Sequence, residues 1–191
     1  MNHTPQIKKA IQFAARKHEG LYRKDAEPLP AVTHLFSVAW LLASVEAVEN
    51  IVIGGLLHDT LEDTPTTVNE IEDQFGSIVR TLVEAVSEPL HDASGRKLSW
   101  HERKEGYFKT LETAPDDAFI IVAADKIDNI ESKITAFEFK GSSILERWPR
   151  PASEYLWYHR TALELILKRI PNHPLTKRFT DVHAREKELF M

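Results

Sequence analysis

Cysteine is absent from the 191 residues. That excludes a disulfide scaffold, thiolate catalysis, a zinc–cysteine site and an iron–sulfur cluster, and it fits a reducing compartment. An apolar signal core is missing from the opening MNHTPQIKKA. The longest uncharged apolar run, residues 35–45, falls far short of the ~20 residues that span a bilayer. A basic excess is missing too: 24 Lys and Arg stand against 29 Asp and Glu, a formal charge of −5. A surface that binds a nucleic-acid backbone needs clustered Lys and Arg, so general nucleic-acid binding is not expected. Any polyphosphate substrate would have to be met by a local basic cluster or a metal. With 42% hydrophobic residues, and roughly 100–200 residues per domain, the expectation is one soluble, cytoplasmic domain over 1–191 with no membrane partner. Its motif-bearing core covers about 5–140 and further helices fill about 150–190.

Glycine is scarce, with 7 residues, and most of the chain reads at helical period. Ile7, Ala10, Ile11 and Ala14 recur at i, i+3, i+4 and i+7, predicting a helix that runs to about His18. Residues 19–30, polar with two prolines, read as a loop. A second helix is predicted at about 31–43. The apolar run 51–57 fits a buried strand or a buried helix by pattern alone. Helix is the expectation, because the run continues without a turn signal into His58 and Asp59. Thr67 with Glu70 reads as a capping box opening a short helix to Gln74, and Gly76 separates it from another at about 77–87. After a loop at 88–99, helices are predicted at about 100–111, then from Pro115 to about 139, with Asp116 and Asp117 favoured at its dipole-positive end. A connector at 141–151 leads to helices at about 152–169 and 174–189. The fold class is therefore all-α, a single multi-helix bundle.

The densest group of titratable side chains follows the most apolar segment: His58-Asp59-Thr60-Leu61-Glu62-Asp63. On a helix, His58 would pair with Glu62 and Asp59 with Asp63, each at i, i+4. The bland alternative is a helix end with solvated acids before Pro65. Two further features compete with it. His34 stands inside an otherwise apolar helical stretch, where a lone histidine is more often a satisfied core residue. Asp125 closes the run Phe119-Ile120-Ile121-Val122-Ala123-Ala124. A carboxylate buried there needs a metal, a cation or a hydrogen-bond partner, and Asn129 lies one turn further on the same face. Together these supply two imidazoles and two carboxylates, a plausible first shell for a divalent metal.

The order His34, His58-Asp59, Asp125 resembles the HD superfamily of metal-dependent phosphohydrolases. Glu62-Asp63 within GLLHDTLEDT, and Phe75-Gly76 before an apolar helix, are similar to the hydrolase domain of the RelA/SpoT alarmone enzymes and their stand-alone small hydrolases. So are Ala15-x-x-His18-x-Gly20-x-x-Arg23-Lys24, Trp100-x-x-Arg103-Lys104 and Ala124-Asp125-Lys126-x-x-Asn129, and the likeness covers about 10–135. Three departures stand out. Leu21 replaces a usual glutamine. Pro30-Ala31-Val32-Thr33-His34-Leu35 lacks the family's tyrosine and proline around the histidine. Asp128 takes a position that is often His or Tyr.

The resemblance implies hydrolysis of the 3′-pyrophosphate of guanosine tetra- or pentaphosphate, with Mn²⁺ held by His34, His58, Asp59 and Asp125. Glu62 and Asp63 would divide the work of activating water and protonating the leaving oxygen, in an order left open. Asn129 would orient the water or a ribose hydroxyl. Arg23 and Lys24 would neutralise the pyrophosphate, with Arg103 and Lys104 adding charge. Trp148, Trp157 and Tyr158 are stacking candidates, although aromatics at helical spacing are usually core. His18 is expected to support the first motif structurally. His3, His91, His101, His159, His173 and His183 lie in polar or terminal contexts and are assigned no role. Two other readings remain open: hydrolysis of another nucleotide (an adenosine alarmone, NADPH or a nucleoside monophosphate), and a module that binds an alarmone without turning it over. Apolar residues in the final helices leave room for a homodimer.

Overall fold

The computed structural model describes residues 3–23 and 29–191. Among them are ten α-helices: α1 (Pro5–Lys17), α2 (Val32–Ser44), α3 (Glu49–Leu57), α4 (Thr60–Asp63), α5 (Val68–Phe75), α6 (Ser77–Val86), α7 (Trp100–Glu112), α8 (Asp116–Lys140), α9 (Ala152–Arg169) and α10 (Pro174–Phe190). A 3₁₀ segment, Gly141–Arg147, occupies most of the expected connector. Extended pairing among the described residues is confined to the isolated bridges Tyr22–Pro30 and His91–Lys97. The all-α expectation holds, and no helix among the described residues is long and apolar enough to cross a membrane.

Local chemistry fixes where these helices start. The Thr4 hydroxyl accepts the Ile7 N–H at 3.2 Å, with Pro5 in the first turn, and the His173 ring accepts the Leu175 N–H ahead of Pro174. Thr67 accepts the Glu70 N–H at 3.2 Å. The reciprocal half of the expected box is spent elsewhere, because the Glu70 carboxylate pairs with Lys17 at 2.8 Å. A complete capping box forms instead at Ser99 and Glu102, opening α7.

The apolar run resolves as helix α3, buried on every side from Ile51 to Leu57. Its glycines set how closely it packs. A Cβ on Gly55 would lie 2.3 Å from Leu42 Cδ1 on α2, and one on Gly54 2.7 Å from Ile121 Cδ1 on α8. This contact brings α2, α3 and α8 side by side. The same three helices carry His34, His58 and Asp125. α9 and α10 pack along the other flank of α8.

Candidate metal centre and cleft

α2 presents His34 in its first turn, α3 hands on to His58 at its C-terminal end, and α8 carries Asp125 halfway along. His34 Nε2 lies 3.2 Å from His58 Nε2 and 3.1 Å from Asp125 Oδ1. His58 Nε2 lies 3.1 Å from Asp59 Oδ1 and 3.8 Å from Asp125 Oδ1. Donor atoms about 2.1 Å from one ion and at right angles would lie about 3 Å apart. His34, His58 and Asp59 keep ligand atoms within 4.8 Å of one another and could hold a metal ion, with Asp125 reaching the same imidazoles from α8.

The outer nitrogens are fixed. His58 Nδ1 lies 2.8 Å from the Gly55 carbonyl, which only accepts, so Nδ1 carries a proton and Nε2 faces the cluster. Burial opposes charge on His58, yet the Asp59 carboxylate outweighs it and holds the imidazole up at about 10. His34 is also raised against its burial, by its hydrogen bonds to Asp125 and Asp128. Asp59, opposed by burial but attracted by His58, sits near 2, and Asp125 lies well below the usual carboxylate range, chiefly through Lys126. The shifts follow from two imidazoles and two carboxylates crowded around one point. A donor set of two imidazoles and two carboxylates around it suits a divalent cation of intermediate hardness.

One local expectation fails. α3 does not run on through His58-Asp59: the chain turns there, with Asp59 at φ −88°, ψ −3°, before the short α4. Adjacent residues of one helix do not face each other, and the turn swings Asp59 beside His58. The expected His58–Glu62 pair does not form, while the Asp63 N–H does reach the Asp59 carbonyl at i, i+4, at 2.9 Å. Glu62 instead accepts the Glu88 backbone N–H at 2.9 Å. Burial, with Asp59 and Glu88 nearby, pushes Glu62 up to about 8. Asp63 is exposed on the cleft wall.

The cluster forms the floor of a cleft of about 520 Å³. Lys104 and Lys126 bring positive charge to it, both over the Tyr158 ring at 4.1 and 4.7 Å. Lys126 is buried and pairs with Asp125, which holds it well above its ordinary value despite burial. Lys104 pairs with Glu88, and burial together with Lys126 lowers its pKa. Arg103 lies 3.3 Å from Glu88 and lines a neighbouring depression. Arg23 stands at the rim, 3.1 Å from Asp128 and 3.3 Å from Asn129. Asn129 lines the cleft and donates to Asp125. Lys24 falls outside the described residues.

Sequence reasoning missed Glu88, which reads as the start of a loop, together with Lys133 and Tyr155 on the cleft wall. Of the aromatics, Trp148 packs on Tyr155 and Phe190 and Trp157 on Phe108, while Tyr158 lines the cleft. His18 donates to the Ala14 carbonyl at 3.0 Å, the structural role expected of it. The polar contexts assigned to His159 and His183 are wrong. Both are buried, and Glu186 between them joins His159 at 2.7 Å and His183 at 2.9 Å. The signal was present in α10: Leu175, Phe179, His183 and Glu186 form its inward stripe.

The HD domain family matches residues 10–136. The human guanosine-3′,5′-bis(diphosphate) 3′-pyrophosphohydrolase MESH1 is 39% identical over 127 residues, covering 65% of this chain and 68% of that enzyme. The guanosine-3′,5′-bis(diphosphate) 3′-pyrophosphohydrolase of Aquifex aeolicus is 38% identical over 132 residues, 68% of this chain but 18% of that longer protein. A solved structure of a metazoan SpoT orthologue that hydrolyses ppGpp superposes with a TM-score of 0.79 at 25% identity, covering 97% of both chains. With its histidine–aspartate pair at the meeting of α2, α3 and α8 and these relatives over the same span, the chain belongs to the HD-domain superfamily, alongside the MESH1 and SpoT-type enzymes.

Proposed function

We propose that the chain is a metal-dependent hydrolase that removes the 3′-pyrophosphate of guanosine tetra- or pentaphosphate, yielding GDP or GTP and pyrophosphate, with Mn²⁺ as the metal. The observation that carries this reading is the convergence of His34, His58, Asp59 and Asp125 under a cleft whose wall bears Glu62 and Asp63. These four side chains would hold the ion. When bound, it supplies Lewis-acid polarisation and a more acidic water.

The protein groups account for the rest. Water oxygen bonds to the 3′-phosphorus as the P–O3′ bond breaks, so a proton must leave the water and another must reach O3′. Glu62, a carboxyl that burial, Asp59 and Glu88 push upward, is the group we take to supply it to O3′. Asp63, exposed at the same wall, is the acceptor for the water proton. Lys104 and Lys126 lie where a polyanion would enter. Lys24 and Arg103 remain expectations for the outer phosphates. The packing of α9 and α10 on α8, the helix of Asp125, supports reading 1–191 as one domain, and we take it to work in the cytoplasm.

The test is a nucleotide panel with full-length protein and Mn²⁺, products resolved by anion exchange. Fastest turnover on guanosine tetraphosphate, to GDP and pyrophosphate, is the expected result. Faster turnover of NADPH or an adenosine alarmone would contradict the substrate. Tight binding without product under any divalent ion would contradict catalysis.

A further inference from the structure

Asp128 is the departure from the family pattern that lies closest to the site. It follows Asp125 by three residues on α8, which puts both acids on nearly one face of the helix. Its neighbours Ile127 and Ile130 are fully buried. Asp128 Oδ2 lies 2.6 Å from His34 Nδ1, while His34 Nε2 lies 3.1 Å from Asp125. A carboxylate ordinarily accepts, so Asp128 keeps a proton on Nδ1 and aims Nε2 at the cluster. The Gly55 carbonyl does this for His58; for His34 a full negative charge does it.

That charge is itself braced. Arg23 Nη1 lies 3.1 Å from the same Oδ2, Arg23 Nη2 donates to Asn129 Oδ1 at 3.3 Å, and the Asn129 amide donates to Asp125. A closed ring results: His34, Asp128, Arg23, Asn129, Asp125 and back to His34. The main chain holds Arg23 in place. Its N–H donates to the Leu29 carbonyl at 2.8 Å, and the Ala31 N–H donates to Leu21 at 2.8 Å, tying the segment to the start of α2.

We propose that Asp128 is a positioning residue for His34 in metal binding, its carboxylate fixing the ring, with Arg23 and Asn129 closing the ring of contacts that holds it. The inference rests on the metal centre of the proposed function. Losing an outer-shell partner of a metal histidine typically weakens metal affinity 10–100-fold.

The experiment titrates full-length protein, freed of metal by chelator, with Mn²⁺ alone in a calorimeter. The parent is compared with Asp128→Asn, which keeps an acceptor but loses the charge, and with Asp128→Ala, which loses both. Circular dichroism and melting curves check the fold. Mn²⁺ affinity is expected to fall about 10-fold in Asp128→Asn and towards 100-fold in Asp128→Ala. The downfield imidazole N–H proton signal of His34 should vanish in Asp128→Ala. Affinity within twofold of the parent in Asp128→Ala overturns the proposal, including when only its melting temperature drops. Should Asp128→Ala not fold, the near-isosteric Asp128→Asn decides by the same twofold criterion. A parent that takes up no Mn²⁺ overturns the metal centre as well, a failure visible on the parent alone.

Discussion

At the floor of the cleft, His34, His58, Asp59 and Asp125 turn donor atoms toward one point. Between α9 and α10, Glu186 spends both oxygens on Nδ1 of His159 and His183. The residue types are the same, but the geometry is opposite. In the first cluster the outer nitrogens are held by Gly55 and Asp128, so the inner ones converge. In the second, one carboxylate lies between the rings and satisfies them. Burial works to raise Glu186, yet its two imidazole bonds hold it near 2. In the cleft, crowding wins: burial, Asp59 and Glu88 push Glu62 up to about 8. Histidine–carboxylate clusters bind metals when their lone pairs converge. They staple helices when those pairs are consumed.

Substitutions can break this contrast. The largest effect is expected from Asp59→Ala, which should lower pyrophosphate release from guanosine tetraphosphate by about 10⁴-fold, through lost metal chemistry, out of proportion to any change in the urea midpoint. Glu62→Gln should slow the same reaction by about 10²–10³-fold, the size of a lost proton-transfer group, with Mn²⁺ affinity within threefold of the parent. Glu186→Ala should act on the fold instead. Two buried imidazoles left without their carboxylate should cost about 3 kcal/mol in urea denaturation.

The smallest effect is one of pH: Glu186 and Glu62 act in opposite directions, while Asp59, also held near 2, follows Glu186. Glu186 is depressed from its ordinary 4.5 to about 2. Its stabilisation is therefore present above about pH 4.5 and lost as pH falls toward 2. His159 is lowered by burial from 6.5, so it too loses stability as pH falls below that value. Glu62 is raised, so its contribution is present below about pH 4.5 and lost as pH rises through about 8. Urea midpoints across this range should fall at both ends. Glu186→Gln should blunt the acid loss and Glu62→Gln the alkaline one.

Much of this was legible in the residues. His34 and Asp125 drew notice because a histidine and an acid interrupt apolar helical stretches, and burial then demands a partner. The helix starts at Val68 and Asp116 followed from threonine and acid placement. What stayed hidden depends on where helices meet. The turn at His58-Asp59 leaves no glycine or proline as a signal. Glu88 reads as a loop residue until α4 and α7 bring Glu62 and Lys104 to it. Nothing near Arg23 in the sequence announces Asp128, which α8 brings to it. The inward stripe of α10 was visible, but its partner on α9 was not.

The contrast between the clusters is tested most directly by counting bound metal. Full-length protein stripped with chelator, loaded with Mn²⁺ and desalted, should retain one ion per chain by elemental analysis. Asp59→Ala should retain far less, and Glu186→Gln as much as the parent. Retention that survives Asp59→Ala and disappears in Glu186→Gln would put the metal in the wrong cluster and contradict the account.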